Sequence, residues 1–205
     1  MSTTSYIKSQ DYSDETVLGF KEARQELHGQ RYSLYGADQK QLVLTSKDVV
    51  AKCCINKKQE VPFLSLDPSQ NEQLVATLDK IRSRLIRDLK LAEDALPPII
   101  TPGTSTLLRN KPSSLILNMT DKTGLKDAQN QKVAYPTLEG KECKMSVYIH
   151  LQSVFKNKKN QYSFKYRVSH MVLKEVLEAS ILEAESYELD EPEPEVEVED
   201  IQSQL

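Results

Sequence analysis

The sequence has no tryptophan, only six glycines, three histidines and three cysteines, and each scarcity closes off a kind of chemistry. The glycines are scattered, so neither a phosphate-cradling P-loop nor a Gly-x-Gly-x-x-Gly dinucleotide turn can be written. His28, His150 and His170 stand apart, with no His-x-x-x-His and no Cys-x-x-Cys pair, so the spacing of a zinc site is missing. Cys53 and Cys54 adjoin each other and Cys143 is alone. An odd count with adjacent members is no disulfide framework and fits a reducing compartment. Neighbours in a strand face opposite sides, so Cys53 and Cys54 read as a buried residue and its neighbour rather than as a nucleophile. Carboxylates are plentiful but form no recognisable cluster in the body of the chain. No apolar run approaches the roughly 20 residues of a membrane helix. The polar segment Met1 to Glu15 has no signal-peptide core, so the Asn118-Met119-Thr120 sequon reads as accidental. The expectation is a soluble, intracellular protein that is not an enzyme and holds no cofactor or metal.

What is present is charge, unevenly placed. The net charge is -3, yet residues 183–205 contain ten acidic side chains and no Lys or Arg. The remainder carries 27 bases against 20 acids, or +7. The tail, with its run Glu-Pro-Glu-Pro-Glu-Val-Glu-Val-Glu-Asp, has too little apolar content to build a core and repels itself, so it is expected to be disordered. A basic body with an acidic tail is an asymmetry that accompanies nucleic-acid handling.

Along the chain, residues 1–15 read as a flexible arm and 16–182 as a single β-rich domain. Strands are expected at Thr16–Phe20, Arg31–Tyr35, Gln41–Thr45, Val49–Ile55 and Val61–Leu66, with turns at Gly29, Gly36 and Asp67-Pro68. The spacing of Leu74, Leu78, Ile81, Leu85, Leu89 and Ala92 predicts a helix over 71–96, stopped by Pro97-Pro98. Lys80, Arg84, Arg87 and Lys90 fall on its other faces, as a phosphate contact or as solvated charge. Residues 97–112 read as a loop, Ser114–Thr120 as a strand, 121–131 as a polar connection and Lys132–Tyr135 as a short strand. Met171–Ala184 is expected to turn helical near its end.

The strongest local pattern lies at 142–173. Cys143, Met145, Val147, Ile149, Leu151 and Phe155 alternate with polar residues. A polar loop, 156–161, follows, and then Tyr162, Phe164, Tyr166, Val168 and Val172 alternate again. Two period-2 runs around a short loop predict a long antiparallel hairpin. Pairing Phe155 with Tyr162 sets Leu151 against Tyr166, Ile149 against Val168 and Val147 against His170. The opposite face gathers Lys144, Tyr148, His150, Gln152, Lys165 and Arg167, and Lys156, Lys158 and Lys159 crown the tip. Single-strand binders combine cations that follow the backbone with rings on which bases stack. The alternative is an ordinary solvated face whose Lys and Arg discourage edge-to-edge aggregation. His170 reads as a core or core-edge residue.

Strands, then a helix, then strands ending in a long basic hairpin, with an acidic tail beyond, resembles the OB-fold single-stranded-DNA-binding proteins, in the form carried by large DNA viruses and phages. The resemblance covers the layout of 16–175. It implies a mainly β, α+β fold with one long helix and a small OB-like barrel whose strand face binds the oligonucleotide. It also implies an acidic tail that recruits a replication partner and competes with DNA. The tail departs from the bacterial pattern, lacking a terminal Pro-Phe and ending Ile201-Gln202-Ser203-Gln204-Leu205. The expected function is sequence-tolerant binding of single-stranded DNA, with RNA as a further ligand, in replication, recombination or repair. The expected binding residues are Lys144, Tyr148, His150, Lys156, Lys158, Lys159, Lys165 and Arg167. Oligomers are compatible with this, and no membrane contact is expected. The rivals are a structural or scaffolding virion protein that uses the hairpin as a protein interface and, more remotely, a transcription accessory factor on duplex DNA.

Overall fold

The computed structural model describes residues 4–21, 23–100, 113–120 and 122–177. Its strands are β1 (Thr4–Lys8), β2 (Gly19–Phe20), β3 (Arg24–Glu26), β4 (Gly29–Tyr35), β5 (Gln41–Asn56), β6 (Val61–Leu66), β7 (Leu115–Asn118), β8 (Gly124–Lys126), β9 (Glu142–Asn157) and β10 (Tyr162–Leu177). One α-helix, α1 (Glu72–Asp88), lies between β6 and β7. The fold is mainly antiparallel β with a single helix. No helix among the described residues is long and apolar enough to cross a membrane.

The long strand β9 is the axis of the sheet. Along one edge its tip half pairs with β4 and its base half with β5, and β10 runs the length of the other edge. β5 carries β1, parallel, and then β6 on its far edge, and β7 adds to β6. β8 joins β10 in parallel. Consecutive strands β7 and β8 thus occupy the two ends of the sheet. It curls to bring β7 beside β10, and the Thr123 hydroxyl donates to Val168 O at 2.9 Å. No ladder joins β7 to β10, so the described strands form an open, curled sheet and not the closed small barrel that the resemblance implies.

The core lies between the inner face of this sheet and α1. Alternation puts Cys143, Met145, Val147, Ile149 and Leu151 of β9 inside, opposite Leu42, Leu44, Val49 and Ala51 of β5. Leu74, Leu78, Ile81 and Leu85 of α1 cover them, each fully buried Leu or Ile stabilising by about 1.5–3 kcal/mol. Asn71 precedes α1 but does not cap it. Its amide donates to Val50 O and Asp67 O (both 2.8 Å) and accepts from Val50 N (3.1 Å). Val50 sits where β1 has left the edge of β5 and β6 has not yet begun, so the side chain supplies the missing backbone partner.

Several expectations change. The helix ends at Asp88, short of residue 96. Lys90 takes a left-handed φ of 53° and Leu91 N–H returns to Ile86 O, a Schellman-type ending. Ala92 is therefore outside the helix. The guanidinium of Arg82 donates to the carbonyls of Glu93, Leu96 and Pro97, which holds Leu96 and Ile99 in the core. Residues 4–12 are not a loose arm: β1 pairs with β5, Thr77 donates to Ser9 O (2.9 Å), and Tyr12 is buried. Of Thr16–Phe20, only Gly19–Phe20 is strand, and β3 was not foreseen. The two expected strands at 41–55 are one, with a bulge at Lys47-Asp48. The 121–131 connection contains β8, whereas 132–135 contributes only a bridge from Lys132 to Lys126 and the start of a 3-10 turn, Tyr135–Leu138. The Ser114–Thr120 strand is confined to β7. Met171 to Leu177 continues β10, ahead of the end of the segment where the helix was expected. Residues 101–112 of the expected loop, the rest of that helical segment and the tail 183–205 lie outside the described residues.

Candidate nucleic-acid interface

The hairpin register is the expected one only in its middle. Leu151 pairs with Tyr166 and Ile149 with Val168. Toward the tip, a bulge at Gln152 shifts the ladder by one, so Phe155 pairs with Ser163 and Tyr162 with Lys156. Toward the base, a bulge at Ser169 pairs Met171 with Val147 and His170 with Tyr148. A one-residue shift exchanges faces. Phe155 therefore leaves the apolar face and His170 joins the outer one. The period-2 pattern carries no mark of either bulge.

The outer face is built row by row from paired residues. Lys8, Thr45, Tyr148 and His170 form one row across β1, β5, β9 and β10, and Tyr6, Val43, His150 and Arg167 form the next. The Tyr148 and His170 rings stack at 3.8 Å and 19°, and Tyr6 meets Tyr148 edge-on at 6.3 Å. Tyr6 is 57% exposed. Ser169 fixes the histidine: its hydroxyl donates to Tyr148 O (3.0 Å), so its oxygen accepts from His170 Nδ1 (3.2 Å). In the neutral ring Nδ1 then holds the proton, and Nε2 is the site that titrates. Burial, with Lys126 nearby, lowers the His170 pKa below its ordinary value. Burial and then Arg167 do the same to His150. Burial pushes Tyr166, on the inner face, up to about 12.

The cations divide by what they touch. Lys165 and Arg167 are exposed on the outer face and form no ion pair among the described residues. Lys144 lies 3.6 Å from Asp48, which also accepts from Lys174 at 3.0 Å. Those lysines, Lys174 first, hold the Asp48 carboxyl below its usual pKa. Beyond the Gln152 bulge Arg31 joins the face, held by two hydrogen bonds to Glu26 (2.6 and 3.1 Å) and one to Ser153 Oγ (3.2 Å), with its guanidinium 5.7 Å from the Phe155 ring centre. Lys156 turns to the inner side, its ammonium 5.6 Å over Tyr162. Lys158 and Lys159 sit in the tip turn, which Asn157 Oδ1 organises by accepting from Lys159 N and Gln161 N (both 2.9 Å).

The structure thus gathers Tyr148, His150, Lys165 and Arg167 on one surface, puts Lys144 at its base end beside an acid, and separates Lys156 from it. Sequence reasoning missed Tyr6, His170, Phe155 and Arg31. The alternation in Thr-Ser-Tyr-Ile-Lys was the available signal for Tyr6. Of the sheet's other functional candidates, Cys53 and Cys54 are both buried; a hydrogen bond with Cys143 and then burial raise the Cys53 thiol, and burial raises the Cys54 thiol. Arg84 and Arg87 of α1 turn to the N-terminal segment: Arg84 donates to Thr16 O (2.6 Å) and pairs with Asp88, and Arg87 lies 3.9 Å from Asp14.

No protein-family model and no curated protein sequence matches the chain. Among solved structures it is similar to the single-stranded DNA-binding protein from bacteriophage Enc34 with a C-terminal truncation. That match has 12% identity and a TM-score of 0.44, and covers 76% of this chain and 94% of that one. It is also similar to the Enc34 protein in complex with single-stranded DNA, at 11% identity and a TM-score of 0.43, over 89% of this chain and all of that one.

Proposed function

We propose that the chain is a non-enzymatic single-stranded-DNA-binding protein, sequence-tolerant, serving replication, recombination or repair in a phage or virus, with the acidic tail as the hook for a protein partner. The observation that carries this reading is the ring cluster of Tyr6, Tyr148 and His170 on the outer sheet face, flanked by Arg167 and Lys165, which are exposed and form no ion pair among the described residues. Rings accept any base, because every base has a π-face, and the cations follow the phosphates. The reading stands on this face rather than on the likeness to the phage proteins, with which it agrees. A scaffolding interface fits less well, because interface cores are depleted of charge and the same face carries Lys165 and Arg167.

The test is a fluorescence-anisotropy titration with labelled oligo-dT, oligo-U and duplex at two salt concentrations. Tight binding of oligo-dT over duplex, falling as salt rises through counterion release, is expected. Weak binding without a salt slope would leave the scaffolding reading in its place.

A further inference from the structure

Seven positions along β9 from Tyr148, the same outer face presents a second ring with a cation: Phe155, with the Arg31 guanidinium 5.7 Å from its centre. The Gln152 bulge brings it there, since without the shift Phe155 would point into the core. Arg31 is held in place. Glu26 grips it twice, and Ser153, directly between β4 and β10 on this face, takes a third hydrogen bond. A fixed guanidinium presents a flat cationic plane on which a base can lie, at small cost in side-chain entropy. Lys165, paired with Ser153, and Arg167, paired with His150, lie between the two ring clusters.

We infer that Phe155 and Arg31 form a second base-stacking station, and that one strand of nucleic acid runs along β9 and β10 from the Tyr148–His170 pair to it, its phosphates over Arg167 and Lys165. This rests on the proposed function and adds the path and the footprint. At about 3.3 Å per residue, less one residue taken up by the bulge, the stations are roughly 20 Å apart. That is about six nucleotides at the ~3.4 Å rise of a stacked strand, and fewer if the strand is stretched. The compensation of Arg31 by Glu26 makes this station one of stacking more than of charge. Losing it should therefore weaken binding while leaving the salt slope nearly intact.

The experiment titrates oligo-dT of increasing length, from about 4 to about 16 nucleotides, against the full chain and against Phe155→Leu, which keeps an apolar side chain at a half-buried position. Wild type should gain affinity in two steps with length. Phe155→Leu should match wild type on the shortest oligomers and fall roughly tenfold behind on the longest, the loss of one stacked base. Should Phe155→Leu fold poorly, the unaltered protein gives the same answer. Photo-crosslinking with oligo-dT carrying 5-iodo-deoxyuridine, with the crosslinked residue assigned by tandem mass spectrometry, should mark both Tyr148 and Phe155, which share the tryptic peptide 145–156. Equal affinities of the two proteins at every length, or crosslinks at Tyr148 and none at Phe155, overturn the second station and leave the proposed function standing. Failure of wild type to bind any length overturns the proposed function itself.

Discussion

Tyr148→Ala removes the central ring of the outer face. Its ring stacks on His170 at 3.8 Å and meets Tyr6 at 6.3 Å. Each such ring contact is worth about 0.5–1.5 kcal/mol beyond its buried area, so the substitution should cost the fold roughly 1–3 kcal/mol. A domain stable by about 5–15 kcal/mol survives that. The same ring, as a platform for one base, should contribute about 1–3 kcal/mol to binding. At 1.4 kcal/mol per tenfold, affinity for single strands should fall about 5- to 150-fold. Tyr148→Phe keeps the ring and should bind within a few-fold of wild type. Anisotropy with oligo-dT measures the affinities, and a thermal melt of each variant separates lost contact from lost fold. A folded Tyr148→Ala protein that binds like wild type would refute the stacking assignment. If the alanine variant unfolds, the Tyr148 ring carries more of the fold than these two ring contacts supply.

Replacing Lys156, Lys158 and Lys159 together by Ala should weaken binding of all sequences about equally and flatten the salt slope by roughly 0.7 per lost phosphate contact. Within that triple, Lys156 should count least because it faces Tyr162 on the inner side, and an unchanged slope would mean the tip does not meet nucleic acid. Lowering the pH below neutrality should tighten binding as His150 and His170 gain charge. Stability should fall over the same range, because both pKa values are lowered in the folded state, so the unfolded chain takes up protons first, near the ordinary value of about 6.5. Titrations of wild type and of His150→Gln/His170→Gln across that range test this, and a pH response that persists in the double variant would assign it elsewhere. Deleting residues 183–205, with their ten acidic side chains, should tighten single-strand binding, most at low salt, where charges are least screened. Thermal stability should barely change, and equal affinities with and without the tail would remove the idea that it competes with DNA.

The elements most legible in the sequence were those whose pattern is local. The alternation over 142–173 revealed the hairpin and most of its core face, because a strand buried on one side must repeat every second residue. The stripe Leu74, Leu78, Ile81 and Leu85 revealed the helix for the same reason at a period near 3.6. The basic body and acidic tail are matters of counting. What tertiary structure alone decided is which residues share a surface. Tyr6 joins Tyr148 only because β1 pairs with β5, a contact between positions 4–8 and 41–45 that no local period encodes. Phe155 and His170 changed faces through the bulges at Gln152 and Ser169, where one extra residue inverts the alternation without altering it on either side. Arg31 reached Phe155 through the pairing of β4 with the tip of β9. The helix stopped early because the Arg82 guanidinium found the carbonyls at 93–97 and drew Leu96 and Ile99 into the core, whereas the spacing alone ran on to Ala92. Periodicity reports how one segment meets solvent, whereas register, bulges and long-range pairing depend on the partner strand, and it is those that assembled the rings and cations of the outer face.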